Sequence, residues 1–270
     1  MSKAGDTPLR VVQLSDCHLF ADTEGKLLGL NTQFSLDKVL DLVREEQPDM
    51  DLILATGDLS QDASFEAYQR LADSLRAFRV PVYWIEGNHD KPAPMLEAFA
   101  DQREQVGPCV VDVGNWTIIM LDSTIPGEVP GELYDDDLTF LEQSLKSARG
   151  DHVMVCLHHH PVPMGCKWLD TQVVASADRF FDVIDRNSRK IRTIIWGHVH
   201  QEYAGDHNGI SLYSVPSTCV QFKPGSEDFA VDKEPPGYRW FDLYPDGRID
   251  TQVSRVQGIE FEVDFSVKGY

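Results

Sequence analysis

The chain predicts an α/β fold in which two packed sheets are covered by helices. Three observations carry this reading. In the N-terminal part, short apolar runs alternate with segments whose apolar residues recur at helical spacing, the pattern of parallel βαβ units. From residue 109 onward, some runs are joined by two-residue turn signals, which imply antiparallel pairs. The 270 residues contain no internal repeat, low-complexity segment or linker. One domain over 1–270 is therefore expected, with a tail from about residue 257 that has no evident partner.

Leu9–Leu14 reads as the first strand and runs into Ser15-Asp16-Cys17-His18. Strand alternation predicts that Asp16 and His18 point the same way and that Cys17 packs on the other side. A loop covers 19–31. Leu36, Val39, Leu40 and Val43 then make a helical stripe, stopped by Pro48. Residues 51–55 form the second strand and lead into Thr56-Gly57-Asp58. Phe65, Tyr68, Leu71, Ala72 and Leu75 mark the next helix. Val82–Ile85 is the third strand and ends at Gly87-Asn88-His89-Asp90. Pro92 and Pro94 open a short helix to about Phe99.

Gly114-Asn115 joins Cys109–Val113 to 116–121 as a hairpin. A loop spans 124–133. Asp135, Asp136 and Asp137 begin a helix that buries Leu138, Leu141 and Leu145; acids in a first turn suit the helix dipole and need no further role. The strand 153–157 ends at His158-His159-His160, and the loop 161–175 contains Trp168. Phe180, Phe181 and Ile184 mark a helix. Ile191–Trp196 ends at Gly197-His198-Val199-His200, and hairpins turning at Asn208-Gly209 and Asp246-Gly247 complete the chain.

The formal net charge is −20 and the pI is near 4.7. That excludes a surface for long nucleic acids, which need basic groups to displace counterions. It does not exclude a small anion, because bound cations reverse the local field. No run of about 18 apolar residues offers a transmembrane helix. Met1-Ser2-Lys3-Ala4-Gly5-Asp6 has no apolar core of a signal segment. The five cysteines, Cys17, Cys109, Cys156, Cys166 and Cys219, are scattered and include no Cys-x-x-Cys pair. Reduced thiols in a cytoplasmic protein follow. Nothing in the chain indicates an oligomeric state.

Five apolar runs end in Asp, Asn or His, and ligands of open α/β sheets collect at the carboxyl ends of strands. Collected, they offer Asp16, His18, Asp58, Asn88, His89, one or more of His158, His159 and His160, and His198 with His200. Taken singly, Asp-x-His is more often a cap, and Gly-Asp a turn. Gly-His-Val-His is the stronger signal, since alternation places both histidines on one side. In the triplet at most alternate members share a face, so one ligand with two satisfied neighbours is expected. His152 and His207 are isolated and read as surface or structural. Such a set is too large for one ion and suits two. Imidazole and carboxylate without thiolate suit iron, manganese, zinc or cobalt, and two-metal sites typically carry out in-line displacement at phosphorus.

These ordered blocks, Asp-x-His, Gly-Asp, Gly-Asn-His-Asp, a histidine and Gly-His-x-His, resemble the calcineurin-like metallophosphoesterase superfamily from Asp16 to His200. Asn31-Thr32, Gly57-Asp58-Leu59-Ser60-Gln61-Asp62, His158-His159-His160-Pro161 and the block Pro216 to Pro224 are similar to the bacterial class III 3′,5′-cyclic AMP phosphodiesterases. This similarity covers nearly the whole chain. It implies a four-layer α/β/β/α sandwich of two mixed sheets flanked by helices. It also implies a first metal on Asp16, His18, Asp58 and His200 and a second on Asp58, Asn88, His159 and His198. His159 is chosen because the family ligand lies two residues before the proline, here Pro161. The ions implied are iron, manganese or both, with zinc or cobalt as alternatives.

The resemblance implies that His89 contacts the phosphate as general acid or electrostatic stabiliser, oriented by Asp90. His18, Asp58, Asn88, His89 and His200 would surround the substrate. The implied reaction cleaves the 3′ ester of cyclic AMP to give 5′-AMP and lowers cyclic AMP. Ser/Thr protein phosphatases carry an Arg in the Gly-Asp block and Glu after Gly-Asn-His. Here Ser60-Gln61-Asp62 and Asp90 stand instead, so an arginine suited to a phosphomonoester dianion is lacking. The competing readings are another metallophosphoesterase (a phosphomonoesterase, a dinucleoside polyphosphate hydrolase or a nucleotide-sugar pyrophosphatase) and a non-catalytic scaffold. The filled ligand positions speak against the scaffold. Phe20, Trp168 and Phe222 lie in loops near the motifs and are candidates to stack on a purine, with core or lid packing as the alternative.

Overall fold

The computed structural model describes residues 7–269. The N-terminal hexapeptide read above as lacking a signal segment lies outside the described residues, as does Tyr270. The chain runs through β1 (Leu9–Leu14), β2 (Lys26–Leu27), β3 (Leu30–Asn31), α1 (Thr32–Glu46), β4 (Leu52–Thr56), α2 (Phe65–Arg76), β5 (Val82–Ile85) and α3 (Pro92–Ala98). It continues through β6 (Cys109–Val113), β7 (Trp116–Met120), α4 (Asp135–Ser147), β8 (His152–Leu157), α5 (Ala177–Arg186) and β9 (Ile191–Trp196). The last strands are β10 (Tyr203–His207), β11 (Ile210–Ser214), β12 (Gly237–Leu243) and β13 (Ile249–Arg255). Short 3-10 turns occupy Ala100–Gln105 and Leu169–Gln172.

Each predicted strand and helix is present within a residue or two at the strands, because both periodicities were strong. The loop 19–31 differs: it holds the small hairpin β2–β3. Strands of two residues are too short to show a period, and the turn between them is made by Leu28 and Gly29, both at positive φ. The tail also differs. It lies along this hairpin, where the Asp264 N–H donates to Leu28 O at 2.7 Å and Phe261, Val263 and Val267 pack on the core.

One sheet has the order β13-β12-β1-β4-β5 and the other β10-β11-β9-β8-β7-β6. Both are mixed. In the first, β1, β4 and β5 are parallel, and β12 joins β1 antiparallel. In the second, β7, β8, β9 and β11 are parallel, with antiparallel β6 and β10 at the edges. Side-chain alternation then sorts residues into layers. Val12 and Leu14 face outward onto Leu36, Val39, Tyr68 and Leu71 of α1 and α2. Val153, Val155 and Leu157 face outward onto Leu141, Phe180 and Ile184 of α4 and α5. Between the sheets lie Val11, Leu52, Leu54, Ile118, Met120, Met154, Cys156, Ile195 and Phe241. The result is the four-layer α/β/β/α sandwich that the resemblance implied.

One polar side chain crosses the inter-sheet core near the strand ends. Gln13 of β1 is fully buried. Its Nε2 donates to Thr56 Oγ1 at 3.1 Å in its own sheet and to Trp196 O at 3.2 Å in the other. The carboxyl ends of β1, β4 and β9 are thereby held side by side. Phe241 fills the inter-sheet core with no exposed surface. Phe241→Ala is expected to destabilise the protein by about 3–5 kcal/mol through lost burial and a cavity. Urea unfolding measures this, and a loss under about 1 kcal/mol would mean that the sheets collapse onto the gap.

Candidate metal centre

The chain does not leave these strands in extended form. Asp16, His18, Asp58, His198 and His200 have φ of 56°, 47°, 50°, 64° and 47°, a left-handed region that costs a side chain about 1–3 kcal/mol. Of two expectations built on strand alternation, this changes the reason for one and overturns the other. Asp16 and His18 converge because the backbone turns back on itself. The turns are held by Asp16 N–H to Gly57 O and His18 N–H to Asp58 O, both at 2.9 Å. His198 and His200 do not share a face. Between them, the Val199 N–H donates to Gly197 O at 2.7 Å. The turn sends His200 to Asp16 and His18, and His198 to His158 and His159.

Glycine is required where these loops meet. A Cβ on Gly87 would overlap the Asp58 backbone nitrogen and carboxylate, and one on Gly197 would overlap Ser15 Oγ. The Asp90 carboxylate ties two of the loops together. It accepts from Leu59 N–H and Ser60 N–H at 3.1 Å, Gly87 N–H at 2.9 Å and Tyr68 O–H at 3.0 Å. Expected to orient the His89 side chain, Asp90 thus spends its oxygens on the junction of the Gly-Asp and Gly-Asn-His loops. Burial, reinforced by the charge of Asp58, pushes its pKa up to about 7.

Two groups of donor atoms face one another across Asp58. In the first, Asp16, His18 and His200 are fully buried and their ligand atoms lie within 4.8 Å of one another. His18 Nδ1–H donates to Gln61 Oε1 at 2.6 Å and His200 Nδ1–H to Val220 O at 2.8 Å. Both Nε2 atoms therefore carry lone pairs, and they stand 3.2 Å apart. Two lone pairs at that distance repel unless a cation lies between them, and imidazole bonds of about 2.0–2.1 Å to one ion fit. The second group is His158, His159 and His198. Asp58 Oδ2 lies 3.7 Å from His18 Nε2 and 3.4 Å from His158 Nε2. Asn88 Oδ1 is buried and has no hydrogen-bond partner, a cost that a cation at this acceptor removes. On these grounds the residues fit a pair of metal ions.

The electrostatics prepare the same chemistry. Burial lowers His18 to about 3 and holds His159 and His198 well below the usual histidine range. All three are neutral lone-pair donors at neutral pH. Burial alone would raise Asp58 and Asp16, but His158 beside the former and His200 beside the latter outweigh it and keep both below the usual carboxylate range. Sequence reasoning left His158 as one open member of the triplet and gave it no role of its own. Burial would lower it, yet the Asp58 charge raises it to about 9. Its Nδ1–H donates to Thr56 O at 2.7 Å, and nothing in the spacing of the triplet announces that. Its neighbour His159 has partners at both ring nitrogens, Ser123 Oγ at 2.9 Å and Val129 O at 3.0 Å. His160 is a satisfied neighbour, bonded to Leu169 O and stacked on His198. His152, buried at the far end of β8, donates to Pro245 O, and His207 pairs with Asp185.

The aromatic candidates divide. Phe222 stacks on the His200 ring with centroids 4.1 Å apart and planes within 8°, and it is 2% exposed. Its face is covered, so it supports a histidine and is not open to a purine. Trp168 packs edge-on against Phe222 and Phe229 and donates to Ser226 Oγ. Phe20 is half-buried against the core cluster that includes the β2–β3 hairpin and lies close to Gly25. The block Pro216 to Pro224 works beneath the first group. Ser217 O–H donates to Asp16 O at 2.7 Å, and the Thr218 N–H donates to Ser15 O at 3.1 Å.

Known proteins resemble the chain over nearly its whole length. The family model for calcineurin-like phosphoesterases matches residues 9–202. A Pseudomonas aeruginosa protein named 3′,5′-cyclic adenosine monophosphate phosphodiesterase CpdA is 46% identical over 269 residues, covering 99% of this chain and 97% of that one. The Escherichia coli K12 protein of the same name is 40% identical over 267 residues, covering 99% and 97%. Among solved structures, a dimetal phosphatase from Danio rerio superposes with a TM-score of 0.66 at 15% identity, covering 93% of this chain and 100% of that one. A purple acid phosphatase from yellow lupin gives 0.61 at 14% identity, covering 93% and 55%. At such identity these two structures show a shared fold.

Gly87→Ala tests the close packing of the loops. Overpacking typically costs about 1–3 kcal/mol, and here it falls on the Asp58 carboxylate. The expected outcome is a lower melting temperature and a smaller upward shift of that temperature on adding Mn2+. An unchanged metal-induced shift would contradict the tight junction.

Proposed function

The chain belongs to the calcineurin-like phosphoesterase family, and on that premise we propose that it is a metal-dependent phosphodiesterase hydrolysing 3′,5′-cyclic AMP to 5′-AMP. The observation that carries the substrate is full-length likeness to relatives named for that activity, joined to donor groups that converge on Asp58. Asp16, His18, Asp58 and His200 hold the first ion. Asp58, Asn88, His159 and His198 hold the second, with His158 against the shared carboxylate. Iron, manganese or both are the ions these hard and borderline donors suit, and zinc or cobalt would also bind. Such ions supply activation of the attacking water and neutralise charge gathering on the phosphoryl oxygens.

The chain's own groups do the rest. The His89 N–H donates to Asp58 Oδ1 at 2.9 Å, and its ring meets His18 edge-on at 4.9 Å. It is half-buried beside the buried His18 and Asp58, which supports a place at the mouth of the centre. There it protonates the departing 3′ oxygen, while Asp90 fixes the loop that carries it. His18, Asp58, Asn88, His89 and His200 surround the phosphate. The Gly-Asp block supplies no arginine: Ser60 O–H is bonded to Leu19 O and Gln61 to His18. That favours a singly charged diester over a monoester dianion.

Pairing of β1 with β12 joins the first strand to one of the last, which supports one domain over the whole chain. The five cysteines are free thiols, which supports a reducing, cytoplasmic setting. No helix among the described residues is long and apolar enough to cross a membrane. The cellular consequence is a lowered cyclic AMP level.

Incubation of manganese- or iron-loaded protein with cyclic AMP, with chromatography of the products, is expected to show 5′-AMP and its loss on chelation. Cleavage of an aryl phosphodiester without cyclic AMP turnover would reject the substrate and keep the metal centre. His89→Ala is expected to retain both ions and lose about 10²–10⁴-fold in turnover, whereas Asp58→Ala loses metal. Elemental analysis of the two variants decides, and loss of both ions from His89→Ala overturns the assignment.

A further inference from the structure

A neutral histidine offers a metal only the ring nitrogen that does not carry its proton, so the partner of the other nitrogen selects the ligand atom. Backbone carbonyls hold His158, His159 and His200, through Thr56 O, Val129 O and Val220 O, and Ser123 Oγ stands at the other nitrogen of His159. Side-chain amides hold His18 and His198. Gln61 Oε1 accepts from His18 Nδ1–H at 2.6 Å, and Gln172 Oε1 accepts from His198 Nε2–H at 2.8 Å. A carbonyl oxygen can only accept, so His18 keeps its lone pair on Nε2 and His198 keeps its lone pair on Nδ1. The two histidines are held in opposite tautomers.

We propose that Gln61 and Gln172 are positioning residues, one for each ion, that set which nitrogen His18 and His198 present. The inference rests on the two-ion reading above. Both glutamines are themselves anchored. The Gln61 N–H donates to Leu19 O at 2.8 Å, three residues beyond Asp58 in the loop tied down by Asp90. Gln172 closes the 3-10 turn Leu169–Gln172, whose first residue accepts from His160 Nε2–H at 3.1 Å. Without the amide, each imidazole divides its proton between two nitrogens, and part of the population turns an N–H toward the cation. A carboxylate in the same place accepts more strongly than an amide and raises the basicity of the ligand nitrogen.

The test is titration of the metal-stripped protein with Mn2+ followed by calorimetry, the first-site step being assigned with Asp16→Asn. Gln61→Leu is expected to weaken the first site alone by about 10–100-fold, and Gln172→Leu the second site alone by a similar factor. Gln61→Glu and Gln172→Glu are expected to bind at least as tightly as wild type. This rescue separates positioning from simple packing. Unchanged affinities in both leucine variants overturn the proposal. So does equal weakening of both sites by either variant, or a drop in metal-free melting temperature that accounts for the loss. Wild-type protein that takes up a single ion would instead remove the two-ion reading and the Gln172 half with it.

Discussion

The centre depends on one buried charge, the carboxylate of Asp58. An isolated ion in a protein interior is expensive, and it persists only where partners compensate for lost water. Asp58 has them on several sides. The His89 N–H is bonded to one oxygen, and His158 and His18 flank the other. Those partners arrive from different sheets: His18 follows β1, His89 follows β5 and His158 follows β8. The carboxylate therefore sits at the seam between the layers. Its surroundings exist only when both sheets are packed, so binding of cations here is linked to folding.

Backbone strain is concentrated at the same place. Of the nine non-glycine residues in left-handed conformation among the described residues, five, Asp16, His18, Asp58, His198 and His200, are donors of the centre. Each local conformation is unfavourable and is held by what surrounds it. The loops bond to one another, as in Asp16 N–H to Gly57 O and Gly197 N–H to His158 O. Asp90 gathers three backbone N–H groups and the Tyr68 hydroxyl into a single knot. Gln13 pins the sheets immediately below. Rigid strands aim the loops, and the knot spares the loops from having to find these turns by themselves.

Burial has a second effect. It strips charge from His18, His159 and His198, while His158 beside Asp58 and His200 beside Asp16 hold the two carboxylates below their usual range. Those three imidazoles are thus neutral beside ionised carboxylates before any ion enters, so little protonation has to be undone there. The surface points the other way: in a chain of net charge −20, an anionic ester can be held where bound cations would reverse the local field.

Much of this was legible in the sequence because it is periodic or punctuated. Alternation and helical spacing set the strands, the helices and the side each buries, and five strand ends marked in Asp, Asn and His located the centre. What the sequence could not show is what depends on contacts between distant segments. The two histidines of Gly-His-Val-His go to different groups because a turn at Val199 separates them, where strand geometry predicted one face. His158, Gln61 and Gln172 acquire their roles only from partners remote in the chain, Thr56, His18 and His198. Phe222, for which stacking on a purine and core packing were both open in the sequence, is covered and stacked on His200. Composition and period follow from local physics, which each residue carries with it. Tautomer, ring orientation and the sharing of one carboxylate are properties of a packed interior, and only the tertiary structure could decide them.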